Sequence, residues 1–402
     1  MGSKKFPQLG FKLSTFSTHR NLGIMKKELE TIREKLDQID KTILKAVADR
    51  QDIVKEVAAL KIDKKAGIRD MEREEQLLNR IRHFAQEIGL DRYYAEHLFR
   101  EIITNSVRFQ THSLVDHQNK KDAGDTIKVS YQGTDGAYSH LAIQRHFDER
   151  YGNVESYGYD TFLGAAKAVK DGEVDLACLP IENTTAGSIN DTYDILGEGK
   201  LHIVGEEILK IVHCLLAVED VDISKVRRIF SHPQAIAQCT HFLAKLPRCK
   251  VESYLDTAIS ARKVLEDGDL SQAAIAGAHA GDHYGLKVIA HDIANQKENY
   301  TRFVIVAPEP VKVDVQIPAK TSLLMVTSNE EGSLIECLNV LHEFGINMSK
   351  LESRPRMNEP WKYSFHLDII ANTADPKTQK ALAKLNEKAA ELKVLGCYAK
   401  QE

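Results

Sequence analysis

The stretch from Glu28 to Lys61 has the three-and-four residue spacing of a helical seam, and cations interrupt its apolar stripe. The apolar positions are Leu29, Ile32, Leu36, Ile39, Ile43, Ala46, Ile53, Val57 and Leu60. Arg50 lies within the stripe, and Arg33 and Lys61 flank it. A buried guanidinium is unfavourable unless an anion pairs with it, and no carboxylate stands three or four residues from Arg50. The pattern therefore predicts one long helix that binds an anionic ligand.

The spacing of these three cations predicts a dimer. Arg50 and Lys61 are separated by about 16 Å along a helix and point to the same side, so both can reach one small dianion. Arg33 and Lys61 are separated by about 42 Å, which no small metabolite spans. If all three serve one site, Arg33 must come from a second, antiparallel copy of the helix. The alternative is a plain helical dimer whose cations are solvated or paired with acids of other helices.

Composition narrows the class of protein. A chain of 402 residues with 43% hydrophobic residues is expected to form two to four domains, and a net charge of -4 argues against a general nucleic-acid binder. The six cysteines are scattered without a C-x-x-C pair, which favours a reducing cytoplasm and no structural zinc. No apolar run reaches membrane-spanning length.

The periodicity divides the chain into successive blocks. Residues 1–24 lack acids and are expected to be a disordered leader, and residues 25–118 are helical throughout. After a polar linker at 119–126, short β-rich runs alternate with helical ones over 127–310, which predicts a wound α/β region in two lobes. Residues 320–399 follow the order βαββαβ, which is typical of a ferredoxin-like α+β sandwich.

The helical block places polar groups where its stripes predict core. Asp70 and Glu74 are four residues apart beside Arg73, and Ser106 and Gln110 continue an apolar face. Buried polar groups need partners, so these side chains and the cations suit a dianionic, hydroxylated ligand. They also suit the stabilisation of charge that develops on an oxygen, without a nucleophile or a metal.

Four segments of this block resemble the all-helical chorismate mutases. They are IREKLDQID (32–40), ADRQDIVKEVAALK (48–61), RDMEREEQLL (69–78) and IITNSVRFQ (102–110). The resemblance implies a Claisen rearrangement of chorismate to prephenate. It also implies that Arg33 of the partner subunit and Arg50 grip the two carboxylates, while Lys61 and Gln110 face the ether oxygen. In this arrangement Asp70 and Glu74 bind the ring hydroxyl, and Arg73 and Ser106 complete the polar lining of the site.

The middle block carries three loops between a strand and a helix start, GTDGAYSH (133–140), PIENTTAGSIND (180–191) and SHPQA (231–235), and a strand NYTRFVIVA (299–307). Hydroxyl and amide residues cap helices everywhere, so helix capping remains the alternative to a cleft that binds a carboxylate ligand. Taken together, the segments resemble prephenate dehydratase, a family with two lobes arranged like a type II periplasmic binding protein.

The second resemblance implies a decarboxylation coupled to loss of a ring hydroxyl. Thr301 is the residue expected at the leaving oxygen, by a hydrogen bond or a proton relay that the sequence leaves open. The residues expected to bind the substrate are Glu182, Asn183, Ser231, Gln238, Arg302 and Phe303.

The last block resembles an ACT regulatory domain through GSLIECL (332–338) and LESRP (351–355). That family binds phenylalanine across a dimer interface and so inhibits the dehydratase. The residues implied are Gly332, Ser333, Leu334, Ile335, Glu352, Ser353, Arg354 and Pro355. A structural dimerisation domain without a ligand is the alternative.

The three resemblances together imply a cytoplasmic, dimeric or higher-order bifunctional enzyme of phenylalanine biosynthesis. It acts on chorismate and prephenate, takes phenylalanine as an allosteric inhibitor, and needs neither metal nor organic cofactor. Two competing interpretations remain: a solute-binding module joined to a ligand sensor, which releases no carbon dioxide from prephenate, and a helical block that only dimerises.

Overall fold

The computed structural model describes residues 15–64, 67, 69–119, 126–147, 153–198, 200–328, 330–356, 359 and 362–401, with side chains from Leu29 onward. The chain forms two compact units, residues 1–60 and 61–402. In the described residues no helix has the length and apolar character needed to cross a membrane.

The predicted long helix is confirmed as α1 (Thr15–Lys64). It begins before the expected end of the leader, so residues 15–24 are helical, and residues 1–14 lie outside the described part. The stripe is exposed in the single chain: Ile32, Ile39 and Ile53 are 53%, 56% and 60% exposed. An apolar stripe of this length on a charged helix marks an interaction surface.

Two shorter helices follow, α2 (Met71–Glu87) and α3 (Arg92–Gln118), within the block predicted to be helical. Each begins at an aspartate whose side chain accepts a backbone N–H of the first turn, Asp70 for α2 and Asp91 for α3. The predicted linker at 119–126 falls largely outside the described residues.

The remaining elements, in chain order, are listed here with their bounds. The strands are β1 (Thr126–Gln132), β2 (Asn153–Tyr159), β3 (Leu176–Asn183), β4 (Gly187–Ser188), β5 (His202–Lys210), β6 (Cys214–Ala217), β7 (Arg228–Ser231), β8 (Lys250–Ser253), β9 (Gln272–Ala276), β10 (Lys287–Ala290), β11 (Tyr300–Ala307), β12 (Ala319–Val326), β13 (Asn347–Pro355), β14 (Tyr363–Ile370) and β15 (Glu391–Ala399). The helices are α4 (Tyr138–Phe147), α5 (Phe162–Lys170), α6 (Asn190–Gly197), α7 (Pro233–Gln238), α8 (Thr240–Leu243), α9 (Thr257–Asp267), α10 (Ala278–Tyr284), α11 (Ser333–Glu343) and α12 (Pro376–Lys388).

Two sheets form the lobes predicted for the middle block. The first has the order β2-β1-β3-β11-β5, in which β11 is antiparallel to both neighbours and β4 pairs with β3. The second has the order β10-β6-β9-β7-β8. Strands β2, β4 and β8 lack the buried apolar run by which a sequence predicts a strand; β2 and β8 are only partly buried.

A third sheet, with the order β13-β14-β12-β15 and all pairs antiparallel, carries α11 and α12 in the predicted βαββαβ order. Its outer strand β15 lies close against β5 of the first sheet. A Cβ at Gly396 would lie 2.0 Å from the backbone oxygen of Ile203, so glycine permits this approach. The first and third sheets are therefore in direct contact.

Candidate active sites

Thr301 lies in a cluster of hydroxyl and amide side chains at the N-terminal end of β11. Its cross-strand neighbour on β3 is Asn183, whose side chain therefore shares its face of the sheet. Asn183 Nδ2 donates to Thr301 Oγ1 at 2.9 Å and to Asn299 Oδ1 at 2.8 Å. Gln238 Oε1 accepts from Asn299 Nδ2 at 3.1 Å, which links the first lobe to the second.

A cavity of about 240 Å³ adjoins this cluster. It is lined by Thr185, Gln234, Ala237, Gln238, Ala294, Asn295, Gln296 and Asn299. The lining consists of neutral amides, a hydroxyl and small apolar groups. Such a site can orient a small polar ligand by hydrogen bonds and supply a donor to an oxygen on that ligand.

Four of the predicted substrate-binding residues lie away from this cluster. Phe303 is buried in the apolar core of the first lobe, and Ser231 Oγ donates to the backbone oxygen of Ile275 within the second sheet. Glu182 pairs with Lys350 Nζ of β13 at 3.0 Å, on the opposite face of β3 from Asn183. Strand alternation explains this face, because successive side chains point to opposite sides.

Arg302, the fourth, is buried between the first and third sheets. Its Nε donates to Glu206 at 2.8 Å, and its other nitrogens donate to Asp368 and to the Tyr398 hydroxyl. Lys320 Nζ also donates to Glu206 at 2.7 Å. Two cations and two carboxylates thus balance in charge inside the protein. The structure gives Arg302 a role in joining the sheets, where the sequence predicted contact with substrate.

Within the second unit, Lys61 lies in the electrostatic field of Asp70 and Glu74. Burial lowers the pKa of Lys61, and the two carboxylates partly offset this by raising it. Asp70 Oδ1 accepts the backbone N–H of Arg73 at 2.9 Å as the cap of α2. Glu74 accepts from Arg69 Nε at 3.1 Å. Asp70 therefore caps α2 and also raises the pKa of the lysine.

Ser106 and Gln110 are buried polar residues on one face of α3, as their spacing predicted. Ser106 Oγ donates to the backbone oxygen of Ile102 at 2.7 Å, and Gln110 Nε2 donates to that of Ser106 at 3.1 Å. The side-chain oxygen of Gln110 is buried without a hydrogen-bond partner in the described residues. In the first unit, Arg33 is exposed, and burial lowers the pKa of Arg50.

The predicted regulatory residues of the third sheet fall into two groups. Residues 332–335 line a cavity of about 340 Å³, together with Thr327, Ser328, Glu330, Lys362, Tyr363 and Phe365. Glu352 and Arg354 of β13 face the first lobe instead: Glu352 accepts from Ser188 Oγ at 2.8 Å, and Arg354 Nη2 donates to Asp194 at 3.0 Å. Ser353 and Pro355 are exposed on the other side of the strand.

Three residues of the Thr301 cluster were not singled out from the sequence: Thr185, His213 and Asn299. Thr185 and Asn299 lie within the quoted motifs, two residues from Asn183 and from Thr301. His213 directly precedes β6, and only its contact with Gln238 reveals it. No cluster of metal-ligating side chains occurs among the described residues.

Comparisons with known proteins find relatives of both the helical block and the middle block. Residues 32–111 match the family described as chorismate mutase type II, and residues 129–311 match prephenate dehydratase. The bifunctional chorismate mutase/prephenate dehydratase of Escherichia coli strain K12 is 38% identical over 370 residues, which cover 92% of this chain and 96% of that protein. This chain belongs to the bifunctional chorismate mutase/prephenate dehydratase family. The enzyme class predicted from the sequence is thereby confirmed for both activities.

Solved structures resemble about two thirds of this family member. A prephenate dehydratase from Arthrobacter aurescens, solved in complex with L-Phe, is 28% identical with a TM-score of 0.62 and covers 68% of this chain and 90% of its own. A protein described as GqqA, a novel type of quorum quenching acylase, is 32% identical with a TM-score of 0.61 and covers 68% of this chain and 97% of its own.

Proposed function

We propose that one chain converts chorismate to prephenate in residues 25–118 and prephenate to phenylpyruvate in residues 127–310, and that residues 320–399 form an ACT domain that senses phenylalanine. The single observation that carries the dehydratase assignment is the hydrogen bond from Asn183 to Thr301 within a cluster that bridges two lobes. The cysteine pattern of the sequence favours action in the cytoplasm.

In the proposed dehydratase step, the bond between the ring and its carboxylate breaks, and its electron pair enters the ring. The ring hydroxyl departs from the opposite carbon, takes up a proton and leaves as water, while carbon dioxide is released. Thr301 Oγ1 already accepts a hydrogen from Asn183, so its own hydrogen is available for the departing oxygen. A preorganised donor of this kind stabilises the developing hydroxide.

In the proposed mutase step, chorismate rearranges without covalent participation of the protein. Arg50 and Arg33 of the partner subunit hold the carboxylates, which favours the reactive conformation. Lys61 and Gln110 place positive charge and an amide N–H at the ether oxygen as its bond breaks. The exposed apolar stripe of α1 supports the dimer that this sharing requires.

Contacts between the third sheet and the first lobe support phenylalanine regulation. Arg302 is adjacent in sequence to Thr301 and bonds to Asp368 of β14, while Lys350 of β13 bonds to Glu182, adjacent to Asn183. If ligand binding near residues 332–335 shifts the third sheet, these contacts transmit the shift to both strands that carry the Thr301 cluster, β3 and β11. The related enzyme from Arthrobacter aurescens was solved with L-Phe, which supports the choice of ligand.

A coupled assay tests the whole proposal. The full chain, given chorismate, is expected to consume it and to form phenylpyruvate; given prephenate alone, it is expected to release carbon dioxide. A solute-binding module would release none, and a helical block that only dimerises would leave chorismate intact. Phenylalanine is expected to lower the rate of phenylpyruvate formation, and an unchanged rate would show that the third sheet is structural.

A further inference from the structure

His213 is the buried end of the hydrogen-bond cluster that contains Thr301. Its Nε2 lies 2.8 Å from Gln238 Oε1, and its Nδ1 is buried with no hydrogen-bond partner in the described residues. Tyr138 packs edge-on against the ring, with centroids 6.2 Å apart. The mechanism above makes no use of this imidazole, although it is fixed at the base of the cluster.

The donor and acceptor roles in the cluster follow from two backbone groups. The N–H groups of Thr185 and Ala186 lie 3.0 and 2.8 Å from the side-chain oxygen of Asn183. A backbone N–H can only donate, so this atom must be the amide oxygen. The Nδ2 group of Asn183 then faces Thr301 and Asn299 as a donor.

The same logic continues through the next two amides. Asn299 presents its oxygen to Asn183, so its Nδ2 donates to Gln238 Oε1. The other end of the Gln238 amide donates to Thr185 Oγ1, which in turn donates to the Asn183 oxygen at 2.7 Å. Because Gln238 Oε1 is an acceptor, the nitrogen of His213 that faces it must carry a hydrogen.

We infer that His213 is a positioning residue for the dehydratase: its neutral Nε2–H form holds the Gln238 amide in the orientation that directs the Asn299 oxygen toward Asn183. The backbone fixes which way the Asn183 amide is turned, and the Asn299 oxygen then holds its Nδ2 group in place beside Thr301. Burial lowers the pKa of His213, although the hydrogen bond with Gln238 partly opposes this, which is consistent with a neutral ring. Without the imidazole, the Gln238 amide can rotate and present its nitrogen to Asn299, which sets two donors against each other. If Asn299 turns in response, Asn183 keeps its orientation but loses the Asn299 oxygen that holds its Nδ2 group. The inference rests on the proposed role of Thr301.

The test compares three variants of the full chain. His213→Leu removes the donor and is expected to lower the dehydratase kcat at least tenfold with little change in KM, because the ring does not reach substrate. His213→Gln returns an N–H to the Nε2 position and is expected to restore most of the rate. Mutase activity on chorismate, which uses another site, reports whether each variant is folded.

Introducing His213→Leu into a chain that already carries Thr301→Val distinguishes an effect on Thr301 from a general loss of packing. If His213 acts through Thr301, His213→Leu lowers the residual dehydratase rate of this background by less than about twofold. A full tenfold loss there would overturn the inference, and so would a wild-type rate in His213→Leu with Thr301 intact. If Thr301→Val alone leaves the rate unchanged, the proposed function itself fails.

Nitrogen-15 NMR of labelled histidine tests directly which nitrogen of the His213 ring carries the hydrogen. The expected signal for His213 is that of a neutral ring protonated on Nε2, and it should move when Gln238 is replaced by Leu. A neutral ring protonated on Nδ1 would contradict the deduced order of donors.

Discussion

Lys61 is a residue whose charge depends on its surroundings. Burial lowers its pKa, and Asp70 and Glu74 only partly offset this by raising it. The proposed mutase step needs the protonated ammonium, which is present below this pKa and is lost as the pH rises through it. We therefore expect the mutase kcat/KM for chorismate to fall on the alkaline side at a lower pH than an ordinary lysine would dictate.

Lys61→Arg provides the control, because a guanidinium keeps its charge at higher pH. In this variant the mutase kcat/KM is expected to fall at a higher pH than in the wild type, even where its maximum value is lower. The dehydratase rate on prephenate, measured over the same range, corrects for general alkaline inactivation. An alkaline fall at the same pH in both proteins would show that another group titrates.

Single residues also show what a sequence can reveal about a site. The motifs identified Asn183, Gln238 and Thr301, which the structure brings together through hydrogen bonds. They also suggested Arg302 and Phe303, because a motif is contiguous. Arg302 faces the opposite way from Thr301 because successive residues of a strand alternate, and Phe303 is buried in the apolar core of the first lobe. His213 carries no motif, and its contact with Gln238 depends on a strand pairing that local sequence does not encode.

At the scale of elements, β11 connects the Thr301 cluster of the first lobe to the third sheet. Arg302, Glu206, Asp368 and Lys320 form a buried, charge-balanced network between them. Removing one partner of a buried pair leaves charge without compensation and typically costs about 3–5 kcal/mol. We expect Arg302→Met to lower the free energy of unfolding by roughly this amount, measured by denaturant titration with circular dichroism.

Arg354→Met is the matched control for this measurement. Arg354 of β13 pairs with Asp194 of α6, also between the third sheet and the first lobe, but the aspartate is substantially exposed. Exposed ion pairs contribute about 0–1 kcal/mol, so a small change is expected. Equal losses in both variants would show that burial of the Arg302 network does not dominate the contact between the sheets.

Most elements were predictable from the sequence because their side chains repeat with a clear period. The α1 stripe and the βαββαβ order are examples, and both agree with the structure. Strands β2 and β8 were not predictable because they are partly exposed and polar. The contact of β15 with β5 through Gly396 could not be deduced either, since it joins distant parts of the chain.

At the scale of the whole molecule, the proposed sharing of Arg33 between subunits predicts complementation. Arg33→Ala and Lys61→Ala are each expected to lose mutase activity. A mixed dimer of the two regains one intact site, because the chain that lacks Lys61 supplies Arg33 to the chain that retains Lys61. If the two chains pair at random, half of the dimers are mixed, and each mixed dimer has one intact site of two. About a quarter of the wild-type mutase rate should therefore return.

The two variants are to be co-expressed with different affinity tags, so that the mixed dimer can be purified and measured. Arg33→Ala mixed with wild-type chain shows the rate of a dimer with one damaged site and serves as the reference. Failure of the purified mixed dimer of the two variants to regain activity would show that each site is built within one chain.

The most direct test of the central claim is the dehydratase rate of Thr301→Val on prephenate, with mutase activity measured on the same sample. Valine keeps the shape of the side chain and removes the hydroxyl that Asn183 orients. Thr126→Val, at an exposed position of β1, is the matched control. The account predicts a loss of about 100-fold or more in phenylpyruvate formation with normal chorismate consumption. A near-normal rate of phenylpyruvate formation in Thr301→Val would contradict it.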